Sequence, residues 1–290
     1  MYKNPFNYIG AKYKLLPQIL PLFPKEIKTF IDLFGGSGEV SLNVNADKII
    51  YNEKCKPLVN IFKNLDNKFI DEVERVIQDY SLSKTGKQEF LNLRKYYNDN
   101  LNKLSDRENA VILYCLITHA FNYQFAFNSM GKYNMPSGSG RSYFSPQLKS
   151  KLNSYIDKIN KTDISFENKD FQALDLQEVG EPQDLFIYAD PPYLITTGAY
   201  ERDYFCKWSV ENETRLLQYL DEFNNKGYKF ALSNVLEHKG KSNDILKKWA
   251  MKYRVNFLSY DYKNCNYQLK NKSSSGTVEV LITNYTPNGV

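Results

Sequence analysis

The sequence predicts an α/β fold whose parallel core is interrupted by a mainly helical insertion. Three observations carry that expectation. An apolar run, Thr29-Phe30-Ile31-Asp32-Leu33-Phe34, leads into Gly35-Gly36-Ser37-Gly38, and a second run, Ile49-Ile50-Tyr51-Asn52-Glu53, follows it. This is the strand, glycine loop, strand order of nucleoside-binding α/β units. A third run, Asp184-Leu185-Phe186-Ile187-Tyr188, stops at Asp190-Pro191-Pro192-Tyr193, where two residues without a backbone donor end the strand. Between these halves, from about residue 65 to 158, strand-like alternation gives way to helical periodicity.

At 290 residues the chain fits one large domain or a core carrying an insertion. The division expected is residues 1–64 and 159–290 for the core and 65–158 for the insertion. Hydrophobic residues make up 42% and charged ones 24%, which places the chain among globular rather than disordered proteins. With no apolar run of membrane-spanning length and no signal peptide, a soluble cytoplasmic protein with no membrane partner is expected. Cys55, Cys115, Cys206 and Cys265 form no CxxC pair, and only His119 and His238 accompany them, so neither a zinc site nor a disulfide framework is expected. The net charge of +5 points only weakly to a polyanionic partner, and the distribution of charge says more.

In chain order, Asn7-Tyr8-Ile9-Gly10-Ala11-Lys12 reads as a loop before an apolar-periodic segment that ends at Phe23-Pro24. The glycines after Phe34 let backbone approach a ligand closely, and Glu39-Val40-Ser41-Leu42 is expected to start a helix. Glu53 follows Asp32 at about the 20-residue interval at which such folds place an acid on a ribose diol. The loop is FGGSG rather than GxGxxG, so a phosphate-free ligand with an ammonium group, such as S-adenosylmethionine, suits it and Asp32. A plain glycine turn with no nucleoside is the alternative.

Helical periodicity runs to Tyr97, and a further helix is expected over 106–120. Between Phe121 and Gln147 stand seven aromatic residues, two basic ones and no acid. Aromatics interleaved with Asn122, Gln124, Asn128, Lys132, Asn134 and Arg141 suit unstacked bases and groove edges. An aromatic β-hairpin with a flexible glycine turn is the other reading, and composition does not separate the two. Strands are expected at Ile164–Asn168, Tyr228–Asn234 and Val278–Asn284, and helices over 211–225 and 242–251. Residues 236–272 carry nine Lys/Arg against three acids, either a phosphate-facing surface or a solvated helix face.

At the end of the third run, Asp190 and a carbonyl held by a proline ring can accept the two hydrogens of an amine on a planar base. Tyr193 offers that base a stacking face, and the amine lone pair is then localised for attack. A proline-stiffened turn, with Asp190 capping nearby backbone, would leave the same residues.

The order of strand, FGGSG, strand-Glu53, inserted aromatic region and strand-Asp190-Pro191-Pro192-Tyr193 resembles the alpha class of DNA amino-methyltransferases. Within that class the chain is similar to Dam-type adenine methyltransferases, those of T-even bacteriophages above all. The likeness runs nearly end to end and is carried by Asp190 to Thr196, Leu232 to His238, Tyr80 to Phe90 and Gly276 to Tyr285. It implies a Rossmann-like, S-adenosylmethionine-dependent methyltransferase core, with a target-recognition domain and β-hairpin inserted before the catalytic strand. It further implies that Tyr8, Lys12, Asp32, Phe34, Gly35, Gly36, Ser37, Gly38, Glu53, Asp170, Phe171 and Asp190 line the cofactor site, and that Asp190, Pro191, Pro192 and Tyr193 form the adenine pocket. The product would be S-adenosylhomocysteine, no metal would take part, and the partner would be double-stranded DNA in a bacterial or phage-infected cell. A monomer is expected, with a dimer on DNA left open.

Two alternatives remain at this point: an enzyme acting on amino groups of RNA bases, and an idle DNA-binding relative. The intact Asp190 loop and glycine loop argue against idleness. GATC-modifying members of the class carry an arginine where this chain has Ala126. The resemblance therefore implies GATC, or a site containing GAT, with the outer guanine read by Arg141, Lys132 or Gln124, or with an outer base that is read loosely or is not guanine.

Overall fold

The computed structural model describes residues 1–174, 176, 179–199, 207–258 and 276–287. Its centre is one mixed sheet of strands β1 (Thr29–Asp32), β2 (Lys48–Asn52), β3 (Ile164–Glu167), β4 (Leu185–Ala189), β5 (Lys229–His238), β6 (Lys241–Ser242), β7 (Arg254–Leu258) and β8 (Val278–Thr283). The order is β3-β2-β1-β4-β5-β8-β7, with β6 paired to β5. From β3 to β5 every pairing is parallel, and β8 then runs antiparallel between β5 and β7. Strand order therefore reverses direction between β1 and β4, the place where open α/β sheets leave a crevice at the carboxyl ends of their strands.

Side chains alternate across the sheet with period two, so each strand feeds two cores. Ile31, Ile50, Ile187 and Leu232 pack beneath helix α7 (Val210–Asn225) and helix α8 (Asp244–Ala250) through Leu216, Leu220, Leu246 and Trp249. Their neighbours Phe30, Ile49, Phe186 and Ala231 face the other way, onto Leu16 and Ile19 of α1 (Leu16–Ile19) and onto Val40 and Val44. The central strands are apolar on both faces, as parallel strands covered on both sides should be.

The helix expected from Glu39 is absent; residues 39–43 form consecutive turns. The Asn43 side-chain amide donates to the Glu39 carbonyl at 2.7 Å, taking the acceptor a helical Asn43 N–H would use, and that N–H bonds Val40 instead. Glu39 itself is held outside the segment, accepting the backbone N–H groups of Asn4 and Tyr13.

All the helices between β2 and β3 lie in one block: α2 (Lys56–Lys63), α3 (Phe69–Asp79), α4 (Lys87–Asn100), α5 (Asp106–His119) and α6 (Pro146–Asn160). α5 is buried along most of its length, from Ala110 to His119; α2, α3 and α4 pack against it, and α6 packs on α3. The same apolar cluster contains Tyr51 of β2 and Phe62 of α2, so the block is continuous with the edge of the sheet. The expected hairpin narrows to single bridges, Phe127 with Tyr133 and Ala120 with Ser137. Phe125, Phe127 and Tyr133 point into the core, so these three aromatics are packing residues and not faces for unstacked bases.

α5 begins with a complete capping box: Ser105 accepts from the Glu108 N–H, and Glu108 accepts from the Ser105 N–H at 2.9 Å. Ser105→Ala should lower stability by about 1 kcal/mol, read as a reduced urea midpoint at unchanged slope. An unshifted midpoint would mean that burial alone holds this helix.

Candidate active site

The carboxyl ends of β1, β2 and β4 open into one cleft at the switch point. β1 delivers Asp32 and the loop from Phe34, β2 delivers Glu53, and β4 delivers Asp190 and its prolines. From elsewhere come Tyr8 and Lys12 of the N-terminal segment and Asp170 and Phe171 after β3. Every residue expected at the cofactor site lines this cleft except Gly38, and Pro191, Pro192 and Tyr193 line it too. Gly38, at φ +70°, lies under the loop, where an added Cβ would meet the Tyr155 hydroxyl at 2.8 Å.

The glycine loop is fastened from below. Gly35 sits on the Tyr51 ring so closely that a Cβ would lie 2.2 Å from it. The Tyr51 hydroxyl donates to the Gly36 carbonyl at 2.8 Å, and the Tyr155 hydroxyl donates to that of Ser37 at 2.7 Å. Glu53 accepts the Gly36 N–H at 3.1 Å and the Cys55 N–H at 2.8 Å, which leaves each carboxylate oxygen further lone pairs. Burial raises the Glu53 carboxyl above its ordinary value, and those backbone donors oppose the shift.

Asp32 is buried. Ser41 donates to its Oδ2 at 2.6 Å, while Oδ1 has no hydrogen-bond partner. Burial pushes its carboxyl up to about 7, against the Ser41 bond and with the help of the Asp190 and Glu53 charges. A buried acceptor with no partner carries a desolvation cost, and a cationic ligand in the cleft would remove it.

Asp190 is engaged on both oxygens. Lys12 forms an ion pair with Oδ2 at 2.6 Å, and the Tyr193 hydroxyl donates toward Oδ1 at 3.0 Å. Burial raises its carboxyl, opposed chiefly by Lys12. The Lys12 ammonium also lies 5.0 Å from the Tyr193 ring centroid, so it covers the aromatic face of the loop as well as its carboxylate.

Sequence reasoning passed over Trp208. Its ring stands edge-on to Phe34 with centroids 5.6 Å apart, and its N–H donates to buried Glu213 at 2.7 Å. With Phe34 and Phe171 it walls one side of the cleft. A lone tryptophan immediately before the helix-capping Ser209 was the available signal. Glu279 was passed over as well; it is buried on β8 and reaches the Tyr193 hydroxyl at 3.1 Å.

The candidate DNA-contacting residues stand apart from the cleft floor. Asn122, Lys132, Asn134 and Arg141 are exposed and Gln124 is half-buried. The Arg141 guanidinium rests 6.0 Å from the Phe121 ring centroid. Asn128 is committed to its own turn, since its side-chain oxygen accepts the N–H groups of Met130 and Lys132. In the basic stretch, Lys247 and Lys252 pair with Glu237 and Asp221, which reduces the charge offered to phosphates. Residues 259–272 of that stretch, with Lys263, Lys270 and Lys272, lie outside the described residues, as do Cys206 and Cys265. Among the described residues no cluster of three or more His, Cys, Asp or Glu could hold a metal, and no helix is long and apolar enough to cross a membrane.

Residues 8–264 match the family described as D12 class N6 adenine-specific DNA methyltransferase. The chain belongs to that family. It is 42% identical over 98% of its length to the modification methylase StsI of Streptococcus sanguinis, and equally to the type II methyltransferase M.FokI of Planomicrobium okeanokoites. The match covers 43% of each of those proteins, so the chain spans less than half their length. The DNA adenine methylase of Haemophilus influenzae is 25% identical over 66% of the chain and 64% of that protein. The alpha-class resemblance thus holds at the level of the family, while the higher identities fall to the StsI and FokI methylases rather than to a Dam-type enzyme.

A carboxyl at about 7 in the folded chain, against 3.8 ordinarily, favours folding in its protonated form. The Asp32 contribution is therefore fully present below the ordinary value and lost as pH rises through 7. Asp32→Asn, which removes the titration, should gain in melting temperature relative to wild type between about pH 4 and pH 8. Parallel melting curves across that range would contradict the shift.

Proposed function

We propose that the chain moves a methyl group from S-adenosylmethionine to the N6 amine of an adenine turned out of duplex DNA. The observation that carries this reading is Asp190, a carboxylate at the end of β4 in the same cleft as the glycine loop and Asp32, in a chain of this family. The donor set suits the cofactor. The unpartnered Oδ1 of Asp32 fits an ammonium, the free lone pairs of Glu53 fit ribose hydroxyls, and the wall of Phe34, Phe171 and Trp208 fits a purine face. S-adenosylmethionine, when bound, supplies a methyl group already activated on a sulfonium.

The chain's own part is to hold and orient the acceptor. Asp190, whose ionised form Lys12 favours against the effect of burial, accepts a hydrogen of the target amine, and the carbonyl before Pro191 or Pro192 accepts the other. With both hydrogens so held, the nitrogen lone pair is drawn out of conjugation with the ring and aimed at the methyl group, and one of the held hydrogens then leaves the methylated nitrogen as a proton, by way of Asp190, to solvent. Tyr193 stacks on the extruded base and offsets part of the few kcal/mol that unstacking requires. Positioning in a water-poor cleft accounts for most of the rate.

In the same reading, residues 65–158 form the target-recognition domain, and Asn122, Gln124, Lys132, Asn134 and Arg141 supply its DNA contacts. The target contains GAT. Ala126 has no donor for its outer base, so Arg141, Lys132 or Gln124 reads that base instead, a bidentate arginine–guanine contact giving about 1–3 kcal/mol of discrimination.

Asp190→Ala should abolish methyl transfer while leaving S-adenosylmethionine binding measurable by titration calorimetry. Glu53→Ala should do the reverse first, weakening that binding by about ten- to a hundredfold, as expected for loss of a charge-assisted hydrogen bond. Normal turnover in the Asp190 variant would remove the residue from the mechanism.

A further inference from the structure

Among the parallel strands only carboxyl ends reach the cleft, but β8 runs the other way and brings its first residues to the same edge. The second of them is Glu279, 3% exposed and the one charged residue of the strand. Its Oε1 lies 3.1 Å from the Tyr193 hydroxyl oxygen, and Asp190 Oδ1 lies 3.0 Å from that same oxygen. A phenol has one hydrogen to donate. It therefore stands between two carboxylate acceptors and satisfies one at a time.

Lys12 already holds one side of Asp190 Oδ2 at 2.6 Å. A target amine needs an acceptor on Asp190, and Oδ1, although it keeps a second lone pair, is the weaker acceptor while the Tyr193 hydrogen is on it. We propose that Glu279 is a positioning residue of methyl transfer: it takes the Tyr193 hydroxyl hydrogen and so releases Oδ1 of Asp190 for the amine of the target base. The change is a rotation of one O–H bond, with the Tyr193 ring left in place to stack. No bond is broken, and neither carboxylate changes its charge. The inference rests on the function proposed above.

Its consequence is a suppressor relationship. Without Glu279, Asp190 is the one acceptor left to the hydroxyl among the described residues, and the hydroxyl competes with the substrate. Without the hydroxyl there is nothing to compete, and Glu279 becomes irrelevant.

The test is the single-turnover rate of transfer from tritiated S-adenosylmethionine to mixed-sequence duplex DNA free of N6-methyladenine. Glu279→Ala should be slower by about tenfold, the size of one hydrogen bond, with cofactor affinity unchanged by calorimetry. Glu279→Gln keeps an acceptor oxygen and should stay within about threefold of wild type. Adding Tyr193→Phe to Glu279→Ala should recover most of the loss. If the alanine variant fails to fold, Glu279→Leu fills the space and carries the same expectation. A Glu279→Ala rate equal to wild type, or an equal loss with and without Tyr193→Phe, would overturn the proposal. A wild-type protein that labels no DNA would instead overturn the functional reading, and this inference with it.

Discussion

The ion pair between Lys12 and Asp190 is the interaction on which the rest of the cleft depends. Asp32, Glu53, Asp190 and Glu279 converge at one end of the sheet, and burial raises the first three above their ordinary values. Under the proposed function, a carboxylate that accepts hydrogens from an amine has to be ionised there. Lys12, with Nζ 2.6 Å from Oδ2, is what opposes protonation of Asp190 most strongly. Removing one partner of a buried pair leaves an uncompensated charge and typically costs about 3–5 kcal/mol. Lys12 therefore bears on stability as well as on chemistry.

The cleft and the inserted helices are mechanically one piece. Tyr155 of α6 donates to the carbonyl of Ser37 in the glycine loop. On the opposite side the Asn7 N–H bonds the Tyr123 carbonyl, and the Tyr8 ring packs on Phe125 at 5.9 Å. Tyr8, which lines the cleft, and the loop that carries Gln124 are thus joined by one backbone hydrogen bond and one ring contact. Under the proposed function, a movement of the 121–125 loop on DNA would be felt at Tyr8 without any long relay.

Much of the core was legible because parallel strands buried on both faces read as largely apolar runs, as β1, β2 and β4 do, and because β8 is apolar from Val280 to Ile282. The Asp190 loop was legible because two prolines end a strand abruptly. What stayed hidden has local physical causes. The helix expected at Glu39 gave way to turns because Asn43 competes for its backbone acceptor. β7, Arg254-Val255-Asn256-Phe257-Leu258, was masked because its alternating polar and apolar residues stand inside a lysine-rich stretch that reads as a charged surface. The aromatic-rich segment misled in part, since spacing alone cannot tell Phe125 and Phe127, which are core, from Phe121, which is exposed. Glu279 was invisible for another reason: its role comes from the reversed direction of β8, a property of topology rather than of neighbouring residues.

The central claim is that this cleft methylates adenine in duplex DNA. The most direct measurement is nucleoside mass spectrometry after incubation with S-adenosylmethionine bearing a deuterated methyl group, run in parallel on duplex DNA and on RNA. The account predicts labelled N6-methyladenine from the DNA, none from the RNA, and none from DNA treated with Asp190→Ala. Label on cytosine, label in the RNA alone, or undiminished label with the Asp190 variant would contradict it.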